Sequence, residues 1–117
     1  MLAVVADDSA LIRRIIRVIL ENEGWTCIEA ASGAEAIQAF LSHRPDVCFL
    51  DVTMPDLDGI RVLQTLADQG IIRNAKIYMV SGSDDYETRR IAEAAGARGY
   101  LVKPVTPERV LAVIREP

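Results

Sequence analysis

The sequence predicts an α/β domain built on a mostly parallel, five-stranded sheet, and two observations carry that reading. Short runs rich in Val, Ile and Leu alternate with longer segments of helical spacing, the pattern of strands joined by helical crossovers and covered on both faces. The chain has 117 residues, 50% of them hydrophobic, enough for one core and too few for a second domain beside it.

The first strand is read at Leu2–Ala6, ended by Asp7 and Asp8, and the first helix at Ala10–Glu23, with Ser9 suited to its N-cap and Gly24 to the chain reversal after it. The second strand, Thr26–Ala30, leads through Ser32, another N-cap candidate, into a helix at Ala34–His43. The third strand, Val47–Leu50, ends at Asp51. A loop shaped by Met54, Pro55 and Gly59, with Asp58 as a local cap, then enters a helix at Ile60–Asp68. The fourth strand, Lys76–Val80, ends at Ser81 and precedes a helix at Tyr86–Ala95. The fifth, Gly99–Val102, ends at Lys103-Pro104, and Thr106 and Pro107 open the last helix, Pro107–Glu116. Gly70 and Gly96 suit reversals after the third and fourth helices.

In the first helix, Leu11, Ile15, Val18 and Ile19 are expected to share one buried face, leaving Arg13, Arg14 and Arg17 largely solvated. Trp25 reads as a packing residue, and His43, at a helix end, as a group facing the helix dipole.

Thirteen basic and 17 acidic side chains give a net charge of −4, which argues against tracking a phosphate backbone, so direct nucleic-acid binding is not expected. The apolar opening from Met1 to Ala6 meets two aspartates before a signal peptide or bilayer helix is complete, and a soluble cytoplasmic domain with no membrane contact is expected. Cys27 and Cys48 lack close metal or redox spacing and are expected to fill core space.

In a parallel sheet the chemically useful edge lies beyond the strand C-termini. There the sequence puts Asp7 and Asp8, Asp51, Ser81 and Lys103. If strands one and three are neighbours, three carboxylates converge, and their repulsion calls for a cation. Oxygen donors without a nearby histidine favour a hard ion, Mg²⁺ before zinc, and Lys103 adds a positive charge opposite them.

The segments Asp7-Asp8-Ser9, Asp51-Val52-Thr53-Met54-Pro55-Asp56-Leu57-Asp58-Gly59, Val80-Ser81-Gly82 and Tyr100-Leu101-Val102-Lys103-Pro104-Val105 occur in that order along the chain. On these motifs the sequence resembles the receiver domain of bacterial response regulators, the phosphoacceptor half of two-component signalling, and most of all its chemotaxis-type single-domain members. The resemblance implies a flavodoxin-like, doubly wound sheet of strand order 2-1-3-4-5 with five helices, and residues 1–117 as one receiver domain. It implies Asp51 as acceptor of a phosphoryl group from a sensor histidine kinase or histidine phosphotransfer protein, catalysing only its own phosphorylation and dephosphorylation.

The resemblance further implies Mg²⁺ held by Asp8 and Asp51, by Asp7 through water and by the Thr53 main-chain carbonyl. Lys103 and Ser81 are then expected to contact the phosphoryl oxygens. Ser81 and Tyr100 become the switch, with Tyr100 turning into space that Ser81 vacates, and the face of helix four, strand five and helix five then controls a downstream target or a fused output domain. Thr53 and Ser83 stand where family members tune attack of water on the acyl phosphate. The implied strand order also separates Cys27 from Cys48 by one strand, and two spacings of about 4.8 Å exceed the roughly 7 Å reach of a disulfide.

Three further readings share the chemistry or the scaffold. A haloacid-dehalogenase-type phosphatase also uses a strand-end Asp and Mg²⁺, but needs a second Asp where this chain has Thr53. A pseudo-receiver acting only as an interaction module lacks site residues that are all present here. A dinucleotide-binding domain needs a glycine-rich loop where this chain has Asp7-Asp8-Ser9.

Overall fold

The computed structural model describes residues 1–72 and 74–116. The elements alternate without exception: β1 Leu2–Ala6, α1 Ala10–Asn22, β2 Thr26–Ala30, α2 Gly33–His43, β3 Val47–Asp51, α3 Gly59–Asp68, β4 Lys76–Ser81, α4 Tyr86–Ala94, β5 Gly99–Val102 and α5 Pro107–Ile114. All pairings are parallel, in the order β2-β1-β3-β4-β5, so the expected doubly wound, flavodoxin-like sheet is what the chain forms. β3 and β4 each run one residue further than the apolar pattern indicated, because Asp51 pairs with Val80 and Ser81 with Val102.

Alternate residues of each strand feed two cores. Val4, Ala6, Cys48, Leu50, Ile77 and Met79 pack with Phe40, Leu63 and Leu66 under α2 and α3, joined by Ala92 of α4. Ala3, Val5, Val47, Phe49, Tyr78 and Val80 face the other way, onto Ile16 and Leu20 of α1 and Val110 and Val113 of α5. Burial on both faces explains the continuous apolar runs of the three central strands. Trp25 packs at the edge of the second core, as expected.

Helix starts follow local chemistry. The side chains of Ser9, Ser32, Asp58, Asp85 and Thr106 each accept the backbone N–H of the residue three positions on. Gly24 and Gly70, at φ 82° and 67°, make reversals that a side chain would strain. The last helix stops at Ile114, short of the expected Glu116, whose carboxylate instead accepts the Tyr78 hydroxyl at 2.8 Å.

The face of α1 differs from expectation. Leu11, Ile15 and Val18 are exposed, while Ile16 and Leu20 are buried, with Ile12 and Ile19 packed beside them. The apolar band on this helix is wider than one stripe, and the strip between Arg13 and Arg17 on one flank and Leu11 and Ile15 on the other meets the sheet. Nor are all the arginines solvated. Arg13 and Arg17 both reach Glu29 of β2, at 3.0 and 2.8 Å, and hold its carboxyl below the usual range; Arg14 is exposed.

β1 lies between the strands bearing the cysteines, with Ala3 opposite Cys27 and Val4 opposite Cys48. Both thiols are free and buried, and burial pushes Cys27 up to about 12 and Cys48 up further.

Candidate functional site

The strand order places the C-termini of β1 and β3 side by side, and the acids follow from that. Asp51 closes β3, and Asp7 and Asp8 follow β1 directly. Oxygen atoms from Asp7, Asp8 and Asp51 all lie within 4.8 Å of one another, a cluster able to bind a metal ion. Asp7 and Asp51 are buried, and Asp8 faces solvent.

β5, two strands from β3, delivers the opposing charge. Lys103 Nζ lies 3.4 Å from an Asp7 oxygen and 3.6 Å from Asp51 Oδ1. Its backbone amide donates to the Ser81 carbonyl at 2.7 Å, which ties the Lys103 turn to the end of β4. The Lys103-Pro104 peptide bond is cis.

One ammonium facing three carboxylates leaves the pocket net negative. Burial, and then repulsion from Asp7, raise the Asp51 carboxyl from its ordinary 3.8 to about 6, against the opposing pull of Lys103 and the Thr53 amide. That amide donates to Asp51 Oδ1 at 3.2 Å, while the Thr53 side chain is exposed. Clustered carboxylate oxygens in charge excess, open to water at Asp8, match what a hard divalent cation needs.

Ser81, at the end of β4, is buried, and its hydroxyl accepts the Ser83 amide at 3.1 Å. The Ser83 carbonyl in turn accepts the Tyr100 hydroxyl at 3.0 Å. Tyr100 is expected to turn into space that a shift of Ser81 vacates. In this structure the ring is already buried, and the Arg89 guanidinium lies 5.4 Å from its centroid. Tyr100 belongs to the same buried core as Ala92, with Val102 packed against it.

The structure thus brings Asp7, Asp8, Asp51 and Lys103 into one pocket at the C-terminal sheet edge, with Thr53 on the loop after β3 and Ser81 at the end of β4. Tyr100 joins through Ser83. His43 lies exposed at the end of α2, outside this group. A cavity of about 340 Å³ lined by Phe40, Arg44, Gln69 and Ile72 opens at the opposite sheet edge and holds none of the clustered acids.

Sequence reasoning missed two supports of the site. The Asp56 carboxylate accepts the Gly33 and Ala34 amides at 2.9 and 3.1 Å, which fastens the loop after Asp51 to the start of α2. Arg13 donates to the Asp7 carbonyl at 2.6 Å. Both contacts join separate elements, so no local pattern announces them. The available signals were a carboxylate next to Pro55 and an arginine following the acidic pair within two helical turns.

Comparison with known proteins agrees with this geometry. The family model for the response regulator receiver domain matches residues 3–115. The chemotaxis protein CheY of Bacillus subtilis is 35% identical over 113 residues, covering 96% of this chain and 92% of that protein. A probable transcriptional regulator, ycf27 of Porphyridium aerugineum, is 38% identical over 95% of this chain, which spans only 45% of its length. Among solved structures, the CheX–CheY–BeF3–Mg²⁺ complex from Borrelia burgdorferi superposes with a TM-score of 0.90 at 29% identity, covering 97% of this chain and 86% of the matched one. Receiver domains of this kind act in signalling, between kinases and output partners. With its family model, its relatives and its fold in agreement, this chain belongs to the response regulator receiver domains of two-component signalling.

Proposed function

We propose that residues 1–117 act as one receiver domain in which Asp51 is the phosphoacceptor. The observation that carries this is the convergence of three carboxylates with Lys103 at 3.4 and 3.6 Å from two of them. An Asp51 carboxylate oxygen attacks the phosphorus of a phosphohistidine on a sensor histidine kinase or histidine phosphotransfer protein. A P–O bond forms, the P–N bond breaks, and its electron pair leaves with the imidazole.

Asp8 and Asp51, with Asp7 through water and the Thr53 main-chain carbonyl, would hold Mg²⁺. The choice of ion is supported by the all-oxygen cluster and by the Mg²⁺ in the Borrelia CheY complex. When bound, the ion offsets negative charge on the transferring phosphoryl oxygens. Lys103 pairs with one of those oxygens and the Ser81 hydroxyl donates to another. The reaction is confined to the domain's own phosphorylation and dephosphorylation.

Ser81 and Tyr100 form the switch. The Ser83 main chain is bonded to both, so a Ser81 hydroxyl drawn to the phosphoryl group releases the Ser83 amide and disturbs the Tyr100 anchor. The readout falls on α4, β5 and α5, for a downstream target protein or a fused output domain. The half-length match to ycf27 and the near full-length match to CheY fit either arrangement. A cytoplasmic location without direct nucleic-acid or membrane binding is part of the same reading. Among the described residues no helix is long and apolar enough to cross a bilayer.

A phosphatase of haloacid-dehalogenase type gains no support, since Thr53 stands where its second acid is needed, and a pseudo-receiver gains none, since the acids and lysine converge. The test is phosphoryl transfer from phosphoramidate, a nitrogen-bonded donor resembling phosphohistidine. Incorporation that requires Mg²⁺ and is lost in Asp51→Asn supports the reading; incorporation indifferent to both refutes it.

A further inference from the structure

We infer that Arg13 is a positioning residue for the metal site, fixing the Asp7–Asp8 peptide so that the exposed Asp8 carboxylate faces Asp51. The inference rests on the proposed Mg²⁺ site and adds a residue to it.

Asp7 is restrained on every side. Its amide donates to the Ala30 carbonyl at 3.0 Å, its Oδ1 accepts the Ser9 amide at 2.8 Å, and Lys103 lies against its second oxygen. Asp8 sits at the surface of the same turn. Its direction depends on the peptide plane that joins it to Asp7, and the oxygen of that plane is the one held by the Arg13 guanidinium at 2.6 Å.

Arg13 is itself fixed. Its side chain is only 15% exposed, and its Nε donates to Glu29 at 3.0 Å. Glu29 is braced by Arg17 at 2.8 Å, and Arg17 by Glu21 at 3.1 Å. A planar guanidinium can serve the carbonyl and the carboxylate together through separate N–H groups, which an ammonium on a flexible stem does poorly. The chain of contacts runs from the flank of α1 through the edge strand β2 to the pocket, and outer contacts of this kind commonly change metal affinity by about tenfold or more.

Charge and positioning predict opposite signs. Removing the Arg13 cation from the Asp7 carbonyl would, on charge alone, tighten Mg²⁺ binding at the adjoining site. Loss of positioning weakens it. The experiment is isothermal titration of the metal-free protein with MgCl₂ for the parent, Arg13→Met and Arg13→Lys, with thermal unfolding in chelator to confirm folding.

The expected result is a Kd raised about tenfold in Arg13→Met and a smaller rise in Arg13→Lys although the charge is kept. An Arg13→Met Kd equal to or below the parent's, or an Arg13→Lys protein equal to the parent, overturns the inference. Should Arg13→Met not fold, Arg13→Lys decides by the same criterion. A parent protein that takes up no Mg²⁺ would remove the proposed metal site itself, and the inference with it.

Discussion

Gly59 packs against the backbone of Asp51 so closely that a β-carbon at position 59 would collide with the Asp51 carbonyl oxygen. The contact closes the loop from Val52 to Asp58, whose ends are also joined by the Gly59 amide donating to the Val52 carbonyl at 2.8 Å. β3 and the first turn of α3 are thus joined by direct backbone contact.

Gly59→Ala is therefore expected to destabilise the fold by about 2–3 kcal/mol, since backbone must move to admit the methyl group. Gly82→Ala, where the added carbon meets nothing within 4 Å, should change stability by less than about 0.5 kcal/mol. Urea unfolding of the two variants checks the contrast; equal effects would mean that the close approach at Gly59 is not what limits that position.

The Asp51 carboxyl gives a pH prediction. Its folded value, raised from 3.8 to about 6 by burial and Asp7, means the folded protein binds a proton there that the unfolded chain has released. Stability from this group therefore falls as pH rises from about 4 to about 6 and is least favourable above that window. Asp51→Asn should raise the Tm of metal-free protein by about 5 °C at neutral pH, with the gain shrinking as pH falls from about 6 toward about 4. Adding Mg²⁺ should raise the Tm of the parent and not of Asp51→Asn. Scanning calorimetry in chelator and in MgCl₂ reads both, and an Asp51→Asn protein less stable than the metal-free parent at neutral pH would contradict the electrostatic account.

Asp56 caps α2 from a distant loop, and its two amide bonds hold its carboxyl below the usual range. Its stabilising contribution is present above the unfolded carboxylate range and is lost as pH falls through the depressed folded value. Asp56→Ala should lower the Tm at neutral pH by a few degrees, and the deficit should narrow in acid. Thermal scans across pH measure it; a deficit independent of pH would mean that packing, not the charged cap, is what the variant removes.

Thr53 and Ser83 offer neither an acid nor an amide to orient water at the acceptor. The Thr53→Asn, Ser83→Glu double variant is expected to lose its phosphoryl group faster than the parent, by roughly tenfold. Decay of the labelled protein after donor removal gives the rate, and equal or slower loss in the variant would show that the two side chains do not govern hydrolysis here.

The legible part of the site was the part fixed by strand ends. Apolar runs stop where the chain leaves the sheet, so Asp7, Asp8, Asp51, Ser81 and Lys103 could be placed on one edge from sequence, and the structure puts them there. What escaped depends on tertiary choice. Ile12 and Ile16 rather than Leu11 and Ile15 face the sheet because the broad apolar band of α1 permits either, and packing against β2 and α5 selects. Arg13 and Asp56 looked like ordinary surface charges because their partners, the Asp7 carbonyl and the Gly33 amide, are backbone groups on other elements. Tyr100 lies on β5 as expected, but its contacts with Ser83 and Arg89 are ones that only the folded chain brings to it.

The most direct test of the acceptor assignment is to incubate the protein with acetyl phosphate and MgCl₂, weigh it intact, and map the modified peptide. The account predicts one added phosphoryl group, on the peptide containing Asp51, that is absent in chelator and in Asp51→Asn. A phosphoryl group that persists in Asp51→Asn, or that maps to another segment of the parent chain, would contradict it.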